Sequence, residues 1–326
     1  MAAVVQLVPR VRLLTADDLG IGVDATLQAT HASNAPDAPR MAADHPKLAL
    51  VRRLLLTFGG VIFTGPPGTG KTFYASQIAE ALAGDKARVR FVQFHASYQY
   101  DDFMEGFVPA PGGGFDRKPG IFKRICEAAT KDPEHTYVLV IDELSRADAA
   151  RVFGEALTYV ERSKRGLEVA LASGESLRVP ENLEILATMN PIDRGVDEVD
   201  AAFERRFAKI KIDPDRAALE EILDLGGVTD PLRSKVLGWF HLVNGMSRDN
   251  PAAAIGHAYF INVDGPAALR DVWEYQLQFA VDRAFRLDPE TRRQVESRWE
   301  TIFAGVQVNE SGPQQADDPA GPDDAA

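Results

Sequence analysis

Val61–Phe73 reads VIFTGPPGTGKTF, and the rest of the chain is organised around it. An apolar run, Val61-Ile62-Phe63, meets Gly65-Pro66-Pro67-Gly68-Thr69-Gly70-Lys71-Thr72. That octet fits G-x-x-x-x-G-K-[ST], the phosphate-cradling P-loop. Gly65, Gly68 and Gly70 allow tight backbone turning, so that several N–H groups face phosphate oxygens. The helix expected after the loop points its positive dipole end at the same anion. Lys71 is the residue for the β and γ phosphates, and the Thr72 hydroxyl is a ligand for Mg²⁺. Pro66, Pro67, Thr69 and Phe73 complete the candidate nucleotide-binding stretch.

Composition bounds the class. The 326 residues are 45% hydrophobic and 26% charged, which suits a soluble globular chain of one large or two ordinary domains. The N-terminus lacks a basic stretch followed by an apolar one, and no run of about 18 apolar residues exists, so neither a secretory signal nor a membrane span is expected. Cys126 is the sole cysteine; it sits in an amphipathic stretch and reads as a packing residue. A cytoplasmic location follows. The net charge is −12, so direct DNA binding by this chain alone is not expected, since that affinity comes from neutralising phosphates.

Residues 1–45 read as a partly irregular extension, with a short strand at Val4–Leu14 and a capped turn at Thr15–Leu19. Sheet strands are predicted at Gly60–Thr64, Arg88–Phe94, Tyr137–Asp142, Leu183–Thr188 and Ala208–Ile212, and helices at Lys47–Phe58, Thr72–Ala83 and Ile121–Ala129. Gly84 is the expected helix stop. The aromatic, acidic stretch from His95 to Phe107 follows a strand end, where parallel sheets carry function; His95 reads there as a loop hydrogen-bonder, with a catalytic base or a metal ligand as the alternatives. The following PAPGGGFDRKPG reads as loose.

Tyr137-Val-Leu-Val-Ile-Asp142-Glu143 is the second signal. Its continuous apolar run predicts a strand buried on both faces, and it ends in two carboxylates, the Walker B pattern. Asp142 is placed to hold Mg²⁺, and Glu143 to orient and deprotonate the attacking water. Ser145 is the expected N-cap of one helix running through Val160. Lys164-Arg165-Gly166 opens a β-hairpin, with arms at Glu168–Ala172 and Ser176–Val179, and is the candidate pore-facing element. Asn190, just past the fourth strand, is a candidate for positioning water near the γ-phosphate. Arg205 and Arg206 follow an N-cap Asp200, and in a ring would reach a neighbour's γ-phosphate as arginine fingers.

From Pro214 the pattern turns helical: Arg216–Leu225, Pro231–Gly245, Pro266–Arg286 and Pro289–Phe303, with Trp239, Phe240, Trp273, Tyr275 and Trp299 at core-like spacings. The domain reading is an extension at 1–45, an α/β nucleotide-binding domain at 46–213 with a hairpin insert near 164–180, a small helical lid at 214–304 and a disordered acidic tail at 305–326.

With these segments in hand, the chain resembles the AAA+ NTPases, and within them the McrB-type motor subunits of modification-dependent restriction systems; MoxR-like AAA+ proteins are more distant. The resemblance rests on GPPGTGKT (65–72), VQFHASYQYDDFMEGF (92–107), GGFDRKPGIF (113–122), IDELSRADAARVFGEAL (141–157), TMNPIDRG (188–195), VDAAFERRFAKI (199–210) and IGHAYF (255–260). It implies an α/β AAA+ P-loop core, a five-stranded parallel sheet flanked by helices, with a small C-terminal helical lid. It also implies that Asn190 is the sensor of an MNxxDR signature shared by Asp193 and Arg194, and that Arg146 is a DExxR arginine. Gly195 stands where the restriction subunits have Ser, DELSR replaces DEINR, and their N-terminal DNA-reading domain is not recognisable. His257 and Arg270 are the candidates for the second sensor.

The function implied is a ring-forming NTPase, a hexamer of identical chains, that hydrolyses ATP with Mg²⁺, GTP being the rival nucleotide, and drives a separately encoded partner such as a McrC-like nuclease subunit. The alternatives are a MoxR-like chaperone ATPase and a nucleotide-dependent scaffold that hydrolyses little.

Overall fold

In the predicted strands at Gly60–Thr64, Tyr137–Asp142 and Leu183–Thr188, odd and even positions are apolar alike, so these three must bury both of their faces. The computed structural model, which describes residues 41–110, 112–190, 201–247 and 253–304, shows how. The strands are β1 (Gly60–Thr64), β2 (Val89–Gln93), β3 (Glu105–Pro109), β4 (Phe115–Pro119), β5 (Tyr137–Asp142), β6 (Glu168–Ala170), β7 (Ser176–Arg178), β8 (Leu183–Met189) and β9 (Phe207–Lys211). The helices are α1 (Pro46–Leu55), α2 (Lys71–Ala83), α3 (Tyr100–Phe103), α4 (Ile121–Lys131), α5 (Ala149–Phe153), α6 (Ala156–Tyr159), α7 (Ala201–Glu204), α8 (Arg216–Leu225), α9 (Leu232–Met246), α10 (Pro266–Val272), α11 (Gln278–Ala284) and α12 (Pro289–Glu300). The readings at Val4–Leu14, Thr15–Leu19, Asp193, Arg194, Gly195, Asp200 and the tail from 305 lie outside the described residues. No described helix is long and apolar enough to cross a membrane.

The five expected sheet strands form one parallel sheet in the order β2-β5-β8-β1-β9. Alternation sorts its side chains between two cores. Val61, Phe63, Val138, Val140 and Leu186 pack with Leu48, Val51, Ala75, Ile78 and Ala79 of α1 and α2. Ile62, Leu139, Ile141, Ile185 and Ala187 pack on the opposite face with α4, α5 and α6. Each fully buried aliphatic side chain contributes about 1.5–3 kcal/mol, so neither face can be left open. Cys126 is buried in the second of these cores, as its spacing suggests. A third core joins Leu219, Leu223, Trp239, Phe240, Val281 and Trp299 of the helices after residue 215.

Three local readings change. Residues 105–109 and 115–119 pair as an antiparallel hairpin, β3 with β4, so the stretch read as loose carries a strand. Ala110 N–H donates to Gly114 O at 3.1 Å, and Gly113 N–H to Ala110 O at 3.0 Å, closing its turn. Its base is pinned by a buried ion pair, Lys123 Nζ to Glu105 Oε2 at 2.9 Å, and Lys123 also reaches Glu175 beyond β6. The single helix predicted from Ser145 is broken. Residues 144–146 make a 3₁₀ turn, and Asp148 caps α5 by accepting from Arg151 N–H at 3.0 Å. The chain then turns at Gly154 (φ 49°), where a Cβ would stand 2.7 Å from the Tyr100 ring. Tyr275 is 66% exposed rather than core, whereas Trp239, Trp273 and Trp299 do cluster, with ring centroids 4.7 and 4.8 Å apart on either side of Trp299.

The β6–β7 hairpin forms as predicted, but Arg165 does not project from it. Its buried guanidinium donates to Val160 O at 2.9 Å, Pro180 O at 3.1 Å, Gly59 O at 2.8 Å and Leu183 O. Arg165 therefore ties the hairpin's base to the sheet and is no pore-facing side chain.

Candidate functional site

The site lies where β1, β5 and β8 end on the same side of the sheet, as parallel pairing requires. The P-loop leaves β1 through Gly65, Gly68 and Gly70, with φ of 156°, 74° and 77°, and Thr69, fully buried, donates to Pro66 O at 2.9 Å. Gly70 is the N-cap of the 13-residue α2, so the first-turn N–H groups and the helix dipole are aimed at whatever anion the loop holds. Lys71 Nζ reaches back over the loop to Gly65 O at 2.9 Å and Pro66 O at 2.8 Å. Pro67 and Phe73 are exposed at the loop's rim.

Thr72 and Asp142, 70 residues apart, meet here: Thr72 Oγ1 donates to Asp142 Oδ1 at 2.8 Å. A hydroxyl and a carboxylate oxygen at one point are the hard donors that Mg²⁺ takes alongside phosphate oxygens. The residues present therefore fit that ion. Glu143 follows with φ 54° and ψ 45°, the one non-glycine residue of positive φ among those described. Arg146 Nε stands 3.3 Å from Glu143 Oε2. Asn190 follows β8 directly and is half-buried, on the strand between β5 and β1. Asp193 lies outside the described residues.

Thr188 is a member of this cluster that sequence reading passed over. It is buried, donates to Asp142 Oδ1 at 2.6 Å and accepts from Glu143 N–H at 3.1 Å. The signal was available: parallel strands ending together place the residue before Met189-Asn190 beside the Walker B aspartate, as the pairing of Ile141 with Ala187 confirms.

The two arginines are separated by the fold. α7 has four residues, too short to stand alone; it is held by Phe203, whose ring meets Phe153 at 5.3 Å and stacks on Phe207 at 4.5 Å. With Phe203 inward, Arg205 is exposed, while Arg206 is buried, its Nε 2.8 Å from Glu161 Oε1 and its guanidinium donating to Ala202 O.

The segment IGHAYF also arrives at the P-loop. Ala258 N–H donates to Gly68 O at 2.8 Å. Gly256 lies so close that a Cβ would be 2.0 Å from that carbonyl oxygen, and Tyr259 packs over Gly68. His257 is buried, accepts through Nδ1 from Asp215 N–H at 3.3 Å, and presents Nε2 towards Gly70. Burial holds its pKa below the ordinary 6.5, with nearby Asp215 opposing and Lys47 assisting. Arg270, the other second-sensor candidate, lies over the Phe303 ring at 5.0 Å. His95 is exposed and pairs with Ser97 Oγ at 3.2 Å, the loop role expected of it.

Residues 60–207 match the family described as AAA domain (dynein-related subfamily). Among curated proteins, the chain is 46% identical over 162 residues to the type IV methyl-directed restriction enzyme EcoKMcrB subunit of Escherichia coli (strain K12), a match covering 47% of this chain and 35% of that protein. It is 29% identical over 188 residues to the type II restriction enzyme BsuMI component YdiS of Bacillus subtilis (strain 168), covering 45% of this chain and 55% of that one. It is 34% identical over 181 residues to the ATP-dependent zinc metalloprotease FtsH of Marinobacter nauticus, covering 54% of this chain and 25% of that one. The chain thus spans between a quarter and about half the length of these relatives. With its β2-β5-β8-β1-β9 parallel sheet and its P-loop and Walker B sequence patterns, residues 60–207 form an AAA+ α/β core, and the chain is McrB-like over about half its length.

Proposed function

We propose that this chain is the hydrolytic subunit of a nucleotide-driven ring that powers a separately encoded effector of a restriction system, a McrC-like nuclease subunit being the partner expected. The observation that carries the reading is the contact of Thr72 Oγ1 with Asp142 Oδ1, with Lys71 on the same loop and Glu143 next in chain. The likeness to two restriction-enzyme components supports the setting.

In this reading the Gly65–Phe73 loop binds the triphosphate, ATP in preference to GTP, and Lys71 exchanges its loop carbonyls for β and γ phosphate oxygens. Thr72 and Asp142 hold Mg²⁺, which when bound neutralises developing charge on those oxygens. Glu143 takes the proton of the attacking water, Asn190 orients that water, and Arg146 holds the Glu143 carboxylate in place. The helices after residue 215 act as a lid, with His257 and Tyr259 resting on the loop. A neighbouring subunit supplies Arg205, so hydrolysis belongs to the assembly of six.

Phosphate release with Mg²⁺ and either ATP or GTP tests this. Glu143→Gln should abolish turnover while nucleotide binding survives, and Lys71→Ala should lose binding. Undiminished turnover in Glu143→Gln would remove Glu143 from its role. Sedimentation with a nonhydrolysable nucleotide reads the subunit count, and a particle that stays monomeric and fully active would end the ring reading.

A further inference from the structure

We infer that Thr188 is a positioning residue that sets both Walker B carboxylates with one hydroxyl, an inference that rests on the roles proposed for Asp142 and Glu143. A hydroxyl offers one proton and two lone pairs. Thr188 uses both kinds: its proton goes to Asp142 Oδ1 at 2.6 Å, and a lone pair takes Glu143 N–H at 3.1 Å. No other residue type of this size, apart from Ser, does both.

Each bond has a separate consequence. Asp142 Oδ1 also accepts from Thr72 Oγ1 at 2.8 Å, so two hydroxyls, one from the first turn of α2 and one from the end of β8, fix the rotamer of the carboxylate meant for the cation. Thr188 is buried, where a hydrogen bond to a charged oxygen is stronger than in water. The other bond holds a backbone. Glu143 occupies the left-handed region at φ 54°, which a non-glycine residue keeps only when its surroundings enforce it. Thr188 grips its N–H, and Glu143 O accepts from Arg146 N–H at 2.9 Å. That peptide geometry turns the Glu143 side chain from the strand direction towards Arg146. Thr188 thus stands one step behind the chemistry and governs two groups that act in different parts of it.

The Thr188 methyl packs while its hydroxyl positions, and two variants separate these. Thr188→Val keeps the shape and removes the hydroxyl; Thr188→Ser keeps the hydroxyl and removes the methyl. In the intact chain, with activity expressed per nucleotide site counted by ADP titration without Mg²⁺, Thr188→Val should lower kcat about ten- to a hundredfold, the range for losing a bond to a charged group. It should also raise the Mg²⁺ concentration for half-maximal activity and shrink the Mg²⁺-dependent gain in nucleotide affinity, leaving Mg²⁺-free affinity unchanged. Thr188→Ser should recover kcat and Mg²⁺ dependence even with a lowered Tm. Wild-type kcat and Mg²⁺ dependence in Thr188→Val would overturn the inference, as would a Ser variant as impaired as Val. Glu143→Gln measured alongside separates the two levels: if it still turns over, the Walker B reading itself fails, whereas if it is inactive while Thr188→Val behaves as wild type, only the role of Thr188 falls.

Discussion

Arg206 Nε lies 2.8 Å from Glu161 Oε1, with the arginine side chain 6% exposed, while Arg205, its neighbour in sequence, is directed to solvent. Gly59 N–H donates to Arg206 O at 2.8 Å, so the backbone of this residue joins the chain before β9 to the start of β1, while its side chain joins it to Glu161. A residue committed in this way is held within its own chain; an exposed one is open to contact from outside it.

Alanine substitution should therefore split the pair. Arg206→Ala should cost roughly 2 kcal/mol in urea unfolding, less than for a fully buried pair because Glu161 keeps some solvent. Arg205→Ala should leave unfolding within about 0.5 kcal/mol of wild type while reducing hydrolysis at least about tenfold, a fraction of what a trans-acting arginine supplies. Mixing Arg205→Ala with Lys71→Ala subunits should restore turnover, since one chain then supplies the intact loop and the other the arginine. A failure to restore it would argue against action across a subunit boundary.

Arg165→Met should be among the most destabilising single changes in the α/β part. It strips donors from the carbonyls of Gly59, Val160, Pro180 and Leu183, and unpartnered buried acceptors cost about 1–3 kcal/mol each before relaxation. A loss of about 3 kcal/mol or more in denaturant unfolding is expected, with nucleotide affinity per folded molecule unchanged.

Lys123→Met should loosen two hairpins at once. Lys123 pairs with buried Glu105 at the base of β3 and with Glu175 beside β7, and Arg117 of β4 contacts Glu175 as well. Leaving Glu105 buried without its cation should cost about 3 kcal/mol. Amide exchange should accelerate in both 105–119 and 168–178; acceleration confined to one hairpin would show that they are not coupled through this lysine.

His257 makes the contact at the P-loop sensitive to acid. Burial holds its folded pKa below the ordinary 6.5, so the unfolded chain binds its proton first as pH falls. The stability that neutral His257 contributes is fully present above about 6.5 and is lost as pH drops from there through the lower folded value. Tm followed across that window should fall less steeply in His257→Gln than in wild type, after the decline shared by other groups is subtracted. Equal slopes would show that the imidazole titrates alike in both states.

Much of this was written locally. Apolar runs of five to seven residues, the glycine spacing around Lys71 and the paired carboxylates after Ile141 are short-range patterns, and they correspond to strands, loop and strand end within one or two residues. Where local reading went astray, a distant side chain was responsible. The predicted helix is interrupted before the Asp148 cap and again at Gly154, where the Tyr100 ring leaves no room for a side chain, and the Glu105–Lys123 pair anchors the base of a hairpin in an apparently loose glycine-rich stretch.

The sequence by itself determined the order of the sheet-forming runs along the chain and the positions of the P-loop and Walker B patterns, because periodicity and motif spacing act over a few residues. Only the tertiary structure decided which of Arg205 and Arg206 faces outward, because that depends on Phe203 entering an aromatic core built from remote segments. It alone brought Thr72 and Thr188 onto one oxygen of Asp142, across separations of 70 and 46 residues. Hydrogen bonds at such separations follow from strand order and register, and neither is encoded in any single stretch of the chain.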